Sequence, residues 1–129
     1  GPWTYLRAGN EFGEDAKAGA FVEMKKAHIG NGTKVPHLSY VGDARLGDHT
    51  NIGGGTITAN YDGVHKNRTT IGSGCHVGAG NLFVAPVEVG DNVTTGAGSV
   101  VRHAVPSDTM VYSENTQHNV EGWKPAWER

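Results

Sequence analysis

The stretch Ile71-Gly72-Ser73-Gly74-Cys75-His76-Val77-Gly78-Ala79-Gly80-Asn81-Leu82-Phe83-Val84-Ala85-Pro86-Val87-Glu88-Val89-Gly90-Asp91-Asn92-Val93-Thr94-Thr95-Gly96-Ala97-Gly98-Ser99-Val100-Val101 decides the fold. One side-chain slot returns every six positions, filled by Ile71, Val77, Phe83, Val89, Thr95 and Val101, and in four of the six a glycine follows it. That step is neither the 3.6 of a helix nor the strict alternation of a half-buried strand. Working outward, the same step runs through Leu46, Ile52 and Thr58, through Ile29, Val35 and Val41, and through Leu6, Phe12, Ala18 and Met24. The frame slips by one residue between Met24 and Ile29 and again between Val41 and Leu46. Of these 16 slots only Thr58 and Thr95 are not apolar, so the six-residue repeat governs nearly a hundred residues.

Three hexads make one 18-residue coil of a triangular prism. Each hexad gives a short strand and a corner, the aliphatic slot points inward, and the residue after it sits near the corner where glycine tolerates unusual dihedrals. Successive coils pair in parallel at about 4.8 Å, and the repeat from Leu6 to Val101 counts to about five coils. The expected fold is therefore all-β, a parallel β-helix with one protruding loop and an irregular C-terminal tail. Parallel crossovers are normally right-handed. The hexapeptide-repeat prism resembles a known exception, which makes this β-helix left-handed by resemblance.

Two segments leave the repeat. Residues 59–70, polar and containing Asp62-Gly63, hold no inward slot and must exit as a loop, because the coils on either side still stack. Past Val101 the repeat stops; residues 1–105 form the β-helix and 106–129 a polar tail carrying Trp123 and Trp127, which suggests docking.

Composition narrows the function. The 129 residues carry 11 Lys+Arg against 13 Asp+Glu, a net charge of −2, with no basic excess to neutralise a phosphate backbone; a nucleic-acid partner is not expected. No apolar run nears the roughly 20 residues that cross a bilayer, so no membrane partner is expected either. A single cysteine, Cys75, excludes an internal disulfide framework and fits a reducing, cytoplasmic compartment. The 20 glycines are about twice ordinary usage, and the repeat accounts for them. The chain opens at Gly1 without a methionine or a signal peptide and reads as a piece of a longer protein or as a chain carrying a trimmed tag.

The strongest chemistry lies between Lys25 and Asn51. On a prism, residues 12 to 18 apart return to neighbouring coils, so Lys25, His37 and Tyr40 converge, with Asn51 one coil up. A neutral histidine accepts a proton near neutral pH, and lysine or arginine holds an anionic group such as a phosphate. The bland alternative for His37 is a solvated surface histidine. His28, His49, His65, His76, His103 and His118 have no obvious partners, and neither HExxH nor a short His-x-His spacing is present, so no metal is expected. Cys75 occupies an ordinary repeat position as a small packed side chain.

The more specific pattern is a set of stretches: Gly1-Pro2-Trp3, Leu6-Arg7, Phe21-Val22-Glu23-Met24-Lys25-Lys26, Val35-Pro36-His37-Leu38-Ser39-Tyr40-Val41-Gly42-Asp43-Ala44, Asn51 through Gly63, Val84-Ala85-Pro86-Val87 and Glu121-Gly122-Trp123. Together they resemble the C-terminal acetyltransferase domain of the GlmU family, almost end to end, with an actinobacterial flavour in Pro36-His37 and the long tail. GlmU proteins are bifunctional glucosamine-1-phosphate acetyltransferases and N-acetylglucosamine-1-phosphate uridyltransferases.

The resemblance implies an enzyme that moves an acetyl group from acetyl-CoA to the amine of glucosamine 1-phosphate. The product feeds UDP-N-acetylglucosamine and peptidoglycan precursor synthesis. It implies His37 as general base, Arg7 and Lys25 on the sugar phosphate, and Tyr40, Asn51 and Lys66 completing that pocket. Asn60 and Tyr61 position the thioester, Gly54 and Ala97 line the pantetheine track, Ala79 keeps a backbone contact to CoA, and Trp123 packs near the CoA of a neighbouring subunit of a homotrimer. Three departures from the family stand out: Ala79 stands where serine is usual, Gly54 where alanine is usual, and a basic residue common near Glu114 is missing. The uridyltransferase half is not expected here. Two readings compete: another hexapeptide acyltransferase acting on a different amine or hydroxyl, and a non-enzymatic β-solenoid.

Overall fold

Each coil of 16 to 18 residues returns the chain to where it left, one strand higher, and the side chains on its inner surface stack on the same positions of the coil below. The computed structural model describes residues 2–129. Gly1 of the Gly1-Pro2-Trp3 stretch lies outside the described residues. Seventeen short strands fall on three parallel sheets of six, five and six strands, and about six coils result rather than the five counted from the repeat. The only helical element among the described residues is a 3-10 turn at Ala126–Glu128.

The register follows the sequence frame. Met24 pairs with Val41 and Ile29 with Leu46, 17 residues on, so each slip shortens one coil by a residue. Ile71 pairs with Val89 and Phe83 with Val101, the full 18 apart. Across the loop the spacing jumps to 25, with Leu46 on Ile71 and Thr58 on Phe83. The seven extra residues leave the prism without disturbing the stacking on either side. Ala59 still closes one strand and Thr69-Thr70 open the next, so 60–68 is the part outside strands. The repeat also continues past Val101: Val105 bridges to Val89, and Met110–Val111 pairs with Thr94–Thr95. The expected boundary at residue 105 therefore cuts the last coil, and the non-strand tail begins after Val111. A four-residue step from Val101 to Val105 hides this coil from a six-residue frame.

Of the sixteen slots, thirteen are buried, from Met24 through Val101. Leu6 and Phe12 are 49% and 40% exposed, because no described residue stacks beneath the first coil. A second inward ring lies two positions before each slot: Val22, Ala27, Thr33, Ser39, Ala44, Thr50, Thr56, Thr69, Cys75, Asn81, Val87, Val93 and Ser99, all buried. Small residues are needed there because three sheets converge on a narrow axis. The polar members other than Thr69 bond to corner backbone that has no strand partner. Thr50 Oγ1 donates to Gly72 O at 2.7 Å and accepts from Cys75 N–H at 3.1 Å. Asn81 donates to Gly78 O and Gly96 O at 2.9 and 3.0 Å. Cys75 belongs to this ring, as a small packed side chain, its thiol 3.2 Å from Gly90 O.

Candidate functional site

One corner column carries His37. Residues 21, 38, 55, 80 and 98 turn the corner between the third and first sheets with positive φ: Phe21 +58°, Leu38 +44°, Gly55 +77°, Gly80 +67° and Gly98 +72°. The residue before each turn stacks in its own column, which reads Ala20, His37, Gly54, Ala79, Ala97 up the prism. Gly80 N–H bonds to Gly54 O and Gly98 N–H to Ala79 O, both at 2.8 Å. A Cβ on Gly54 would touch the His37 Cβ at 3.4 Å, so Gly54 lies directly over the histidine. His37 is exposed, as are Ala79 and Ala97, and above the histidine the column is an outward-facing track without bulky side chains.

At the far edge of the first sheet, a second group gathers. Lys25 is buried, with its Nζ 3.2 Å from Asp43 Oδ2. Asn60, also buried, donates from one amide nitrogen to Asp43 Oδ2 at 2.7 Å and to Tyr40 Oη at 3.1 Å. Lys25 pairs with Gly42, and that glycine makes room: a Cβ there would overlap the Tyr40 hydroxyl. Arg7 follows the strand below and forms an ion pair with Glu23 at 3.3 Å, half-exposed on both sides. Such a surface pair contributes little to stability and leaves the guanidinium able to exchange partners.

The loop folds back over this edge as a small hairpin. Tyr61 bridges Lys66, Asn67 N–H bonds to Asn60 O at 2.7 Å, and Asp62 Oδ1 accepts from the N–H groups of His65 and Val64 at 2.6 and 2.8 Å. Those amides hold the Asp62 carboxyl below the ordinary carboxylate range. The hairpin brings Lys66 to Lys25. The Lys25 ammonium is pushed above the ordinary lysine range, chiefly by its hydrogen bond to the Lys66 amine, with the Asp43 carboxylate adding to it against the cost of burial. Lys66 is pushed below that range by the same hydrogen bond and by the charge on Lys25. Two amines this close compete for charge; an anion between them would let both keep it.

Lys25, Tyr40, Asn60 and Lys66 are thus brought together, with Arg7 one coil below. His37 ends a third-sheet strand at the corner before the first sheet, and Tyr40, half-buried, opens the first-sheet strand that follows. Asn51 is one coil above His37 but stacks on Lys34, three positions back along the third sheet. Tyr61 is exposed, with its hydroxyl donating to Gly63 O at 2.8 Å. Trp123 is exposed in the tail under the Arg129 guanidinium, 5.8 Å from its ring centre. Asp43 was missed by the sequence reading. Its signal is positional: it is 18 residues after Lys25 and 17 before Asn60, one coil in each direction. Among the described residues no three His, Cys, Asp or Glu side chains gather as a metal site, and no helix is long and apolar enough to cross a membrane.

Fold and repeat together define the class, a left-handed parallel β-helix of the hexapeptide-repeat type; residues 68–103 match the family described as bacterial transferase hexapeptide (six repeats). Sequence comparison narrows this: the chain is 98% identical over all 129 residues to part of the bifunctional protein GlmU of Bifidobacterium longum strain NCC 2705. The chain spans 28% of the length of that relative. Solved structures share the fold at low identity. The perosamine N-acetyltransferase PerB from Caulobacter crescentus, in complex with CoA and GDP-perosamine, superposes with a TM-score of 0.76 at 22% identity, over 84% of this chain and 50% of that one. The acetyltransferase domain of PglB from Neisseria gonorrhoeae, in complex with acetyl coenzyme A, gives 0.75 at 22%, over 84% and 51%.

Proposed function

We propose that this chain transfers the acetyl group of acetyl-CoA to the amine of glucosamine 1-phosphate, giving N-acetylglucosamine 1-phosphate for UDP-N-acetylglucosamine and cell-wall precursor synthesis in the cytoplasm. The observation that carries this reading is the layout across the first sheet and the corner that leads into it. A proton acceptor, His37, stands at that corner, a cationic group of Arg7, Lys25 and Lys66 at the far edge of the sheet, and Tyr40 between them. Glucosamine 1-phosphate carries its amine on C2 and its phosphate on the neighbouring C1, so one bound sugar needs a proton acceptor for the nitrogen and cations for the phosphate, the two kinds of group found here. The uncluttered Gly54–Ala79–Ala97 column above His37 suits a pantetheine arm, which would deliver a thioester to the histidine. The GlmU relatives and the CoA-bound acetyltransferases of the same fold support the same chemistry.

In the reaction, His37 accepts a proton from the substrate ammonium, and the freed amine attacks the thioester carbonyl. The tetrahedral oxyanion is stabilised by backbone N–H groups of the loop around Tyr61. The C–S bond then breaks as the amide forms, and the departing CoA thiolate takes up the second proton that the attacking nitrogen sheds. Holding both substrates on one surface supplies proximity. Asn51 completes the sugar pocket, and Asn60 and Tyr61 set the thioester. Trp123, exposed and far from the prism core in sequence, packs near the CoA of a neighbouring copy in a homotrimer whose three-fold axis repeats the site.

Thiol release from acetyl-CoA, measured with glucosamine 1-phosphate and with glucosamine, tests the assignment. Losing one charge-assisted phosphate contact costs roughly 1.5–3 kcal/mol, or about 10- to 150-fold in kcat/KM. Lys25→Ala and Arg7→Ala lose that much on the phosphorylated sugar and little on glucosamine, where the partner is missing. Equal losses on both sugars refute the phosphate assignment.

A further inference from the structure

We propose that Asp43 is a positioning residue that holds Lys25 and the mouth of the 60–68 loop on one carboxylate oxygen, so that the phosphate-side and thioester-side groups are set together. This rests on the functional reading above and goes beyond it by assigning a residue that touches neither substrate.

Three observations converge. First, Asp43 Oδ2 takes both the Lys25 ammonium, at 3.2 Å, and the Asn60 amide, at 2.7 Å. The Lys25 and Asp43 side chains are 9% and 15% exposed, so the pair is shielded from water and from salt. Second, the backbone of Asp43 ties the same two levels of the prism. Its N–H donates to Lys25 O at 2.9 Å, and its carbonyl accepts from Thr69 N–H at 3.2 Å. Asn60 is where the chain leaves the prism and Thr69 is where it returns. One residue therefore grips both ends of the loop, one through its side chain and one through its main chain. Third, Asp43 sits at φ +49°, a left-handed conformation that aspartate tolerates better than most side chains. There the carboxylate turns across the coil instead of standing off the strand.

The physical consequence is coupling. With both hydrogens of its amide nitrogen committed to Asp43 and Tyr40, Asn60 has one orientation. With its counter-charge in place, Lys25 stays an ammonium despite burial. Moving the carboxylate shifts both.

The test uses the full chain, wild type beside Asp43→Ala and Asp43→Asn, with the two KM values, kcat and their pH profiles. A second arm needs no substrate: limited trypsin digestion, since Lys66 and Arg68 are exposed cleavage sites in the loop. Asp43→Ala is expected to raise KM for glucosamine 1-phosphate and for acetyl-CoA together, each by about 5- to 30-fold, the worth of one or two lost hydrogen bonds, and to speed loop cleavage at least about fivefold. Asp43→Asn keeps an acceptor for Asn60 but removes the charge. It restores the acetyl-CoA KM and the slow cleavage, while the sugar-phosphate KM climbs at lower pH than in wild type, because Lys25 loses its proton earlier. A merely structural role would not produce that split. The inference is overturned if Asp43→Ala leaves either KM or the cleavage rate within about twofold of wild type, or if Asp43→Asn matches Asp43→Ala on acetyl-CoA. Should wild type fail to acetylate glucosamine 1-phosphate, the functional reading falls. The trypsin arm then decides the clamp alone, and unchanged cleavage in Asp43→Ala overturns it.

Discussion

Adding one methyl group at Gly42 should separate activity from stability. Gly42 is buried on the first sheet, in register with Lys25, with its φ outside the left-handed region that would strain an alanine. The new Cβ would overlap the Tyr40 hydroxyl and come within 2.7 Å of Asn60 Nδ2. The backbone cannot retreat, because Gly42 N–H bonds to Thr58 Oγ1 at 2.8 Å and Thr58 Oγ1 donates back to Gly42 O at 3.2 Å. Tyr40 must give way and lose its bond to Asn60, a cost of about 1 kcal/mol. Against that, replacing glycine lowers unfolded-chain entropy and returns about 0.4–1 kcal/mol. The net change is about 0–1 kcal/mol, which moves Tm by no more than about 4 °C in a chain this size. A displacement of about 1 Å at a substrate-positioning group costs about 100-fold in rate, so kcat/KM should fall far out of proportion to Tm. Steady-state kinetics beside thermal denaturation reads both. In a Tyr40→Ala background only the 2.7 Å approach to Asn60 Nδ2 remains, so the added methyl's further effect on kcat/KM should be clearly smaller than in wild type. A Tm loss above about 10 °C with activity intact, or an undiminished kinetic loss in the Tyr40→Ala background, refutes the reasoning.

His37→Ala should lower kcat by about 10²–10⁴, the usual contribution of a general base, with Tm unchanged because the side chain is exposed; an unaltered kcat removes it from the mechanism. Thr50→Val should cost about 1–3 kcal/mol in chemical denaturation, since it orphans Gly72 O and Cys75 N–H. The hydroxyl of Thr69, buried with no partner among the described residues, makes Thr69→Val neutral or stabilising, and similar costs at both positions would contradict this. At the loop tip the Asp62 carboxyl is depressed, so its hold on His65 and Val64 is complete above the ordinary aspartate value near ~3.9 and fades as pH falls through its lower folded value. The amide NMR signals of Val64 and His65 should therefore shift only under strongly acidic conditions and not at all in Asp62→Asn.

The prism was legible because its period is arithmetic. Once Ile71, Val77, Phe83 and Val89 set the frame, the burial of Met24 or Ile52 follows without knowing any contact. The inner ring of small residues was not read, since Thr50, Asn81 and Cys75 share size rather than polarity. Leu6 and Phe12 keep the frame yet stay half-exposed, because the frame says which way a side chain points and not whether anything lies beneath it. The coil through Val105 and Val111 was hidden by a shortened corner and by Pro106, which follows the inward residue and costs no ladder bond there. At the site, the spacing brought Lys25 and Tyr40 together, but the return of Lys66 depends on the hairpin built by Asp62 and Asn67, whose geometry no six-residue count contains. Asp43 carried no motif of its own and becomes visible only when the sequence is wound onto three faces.

Each coil pairs its strands only with the coil before and the coil after, so among the described residues no strand pairing ties the first coil to the last. Pulled from its termini, such an array should peel rather than burst. A coil in the 17- or 18-residue register would release about 60 Å of contour length. The coil across the 25-residue spacing would release about 85 Å. Under tension the loop over Lys25 would thus mark its own position as the one long step in an otherwise even staircase.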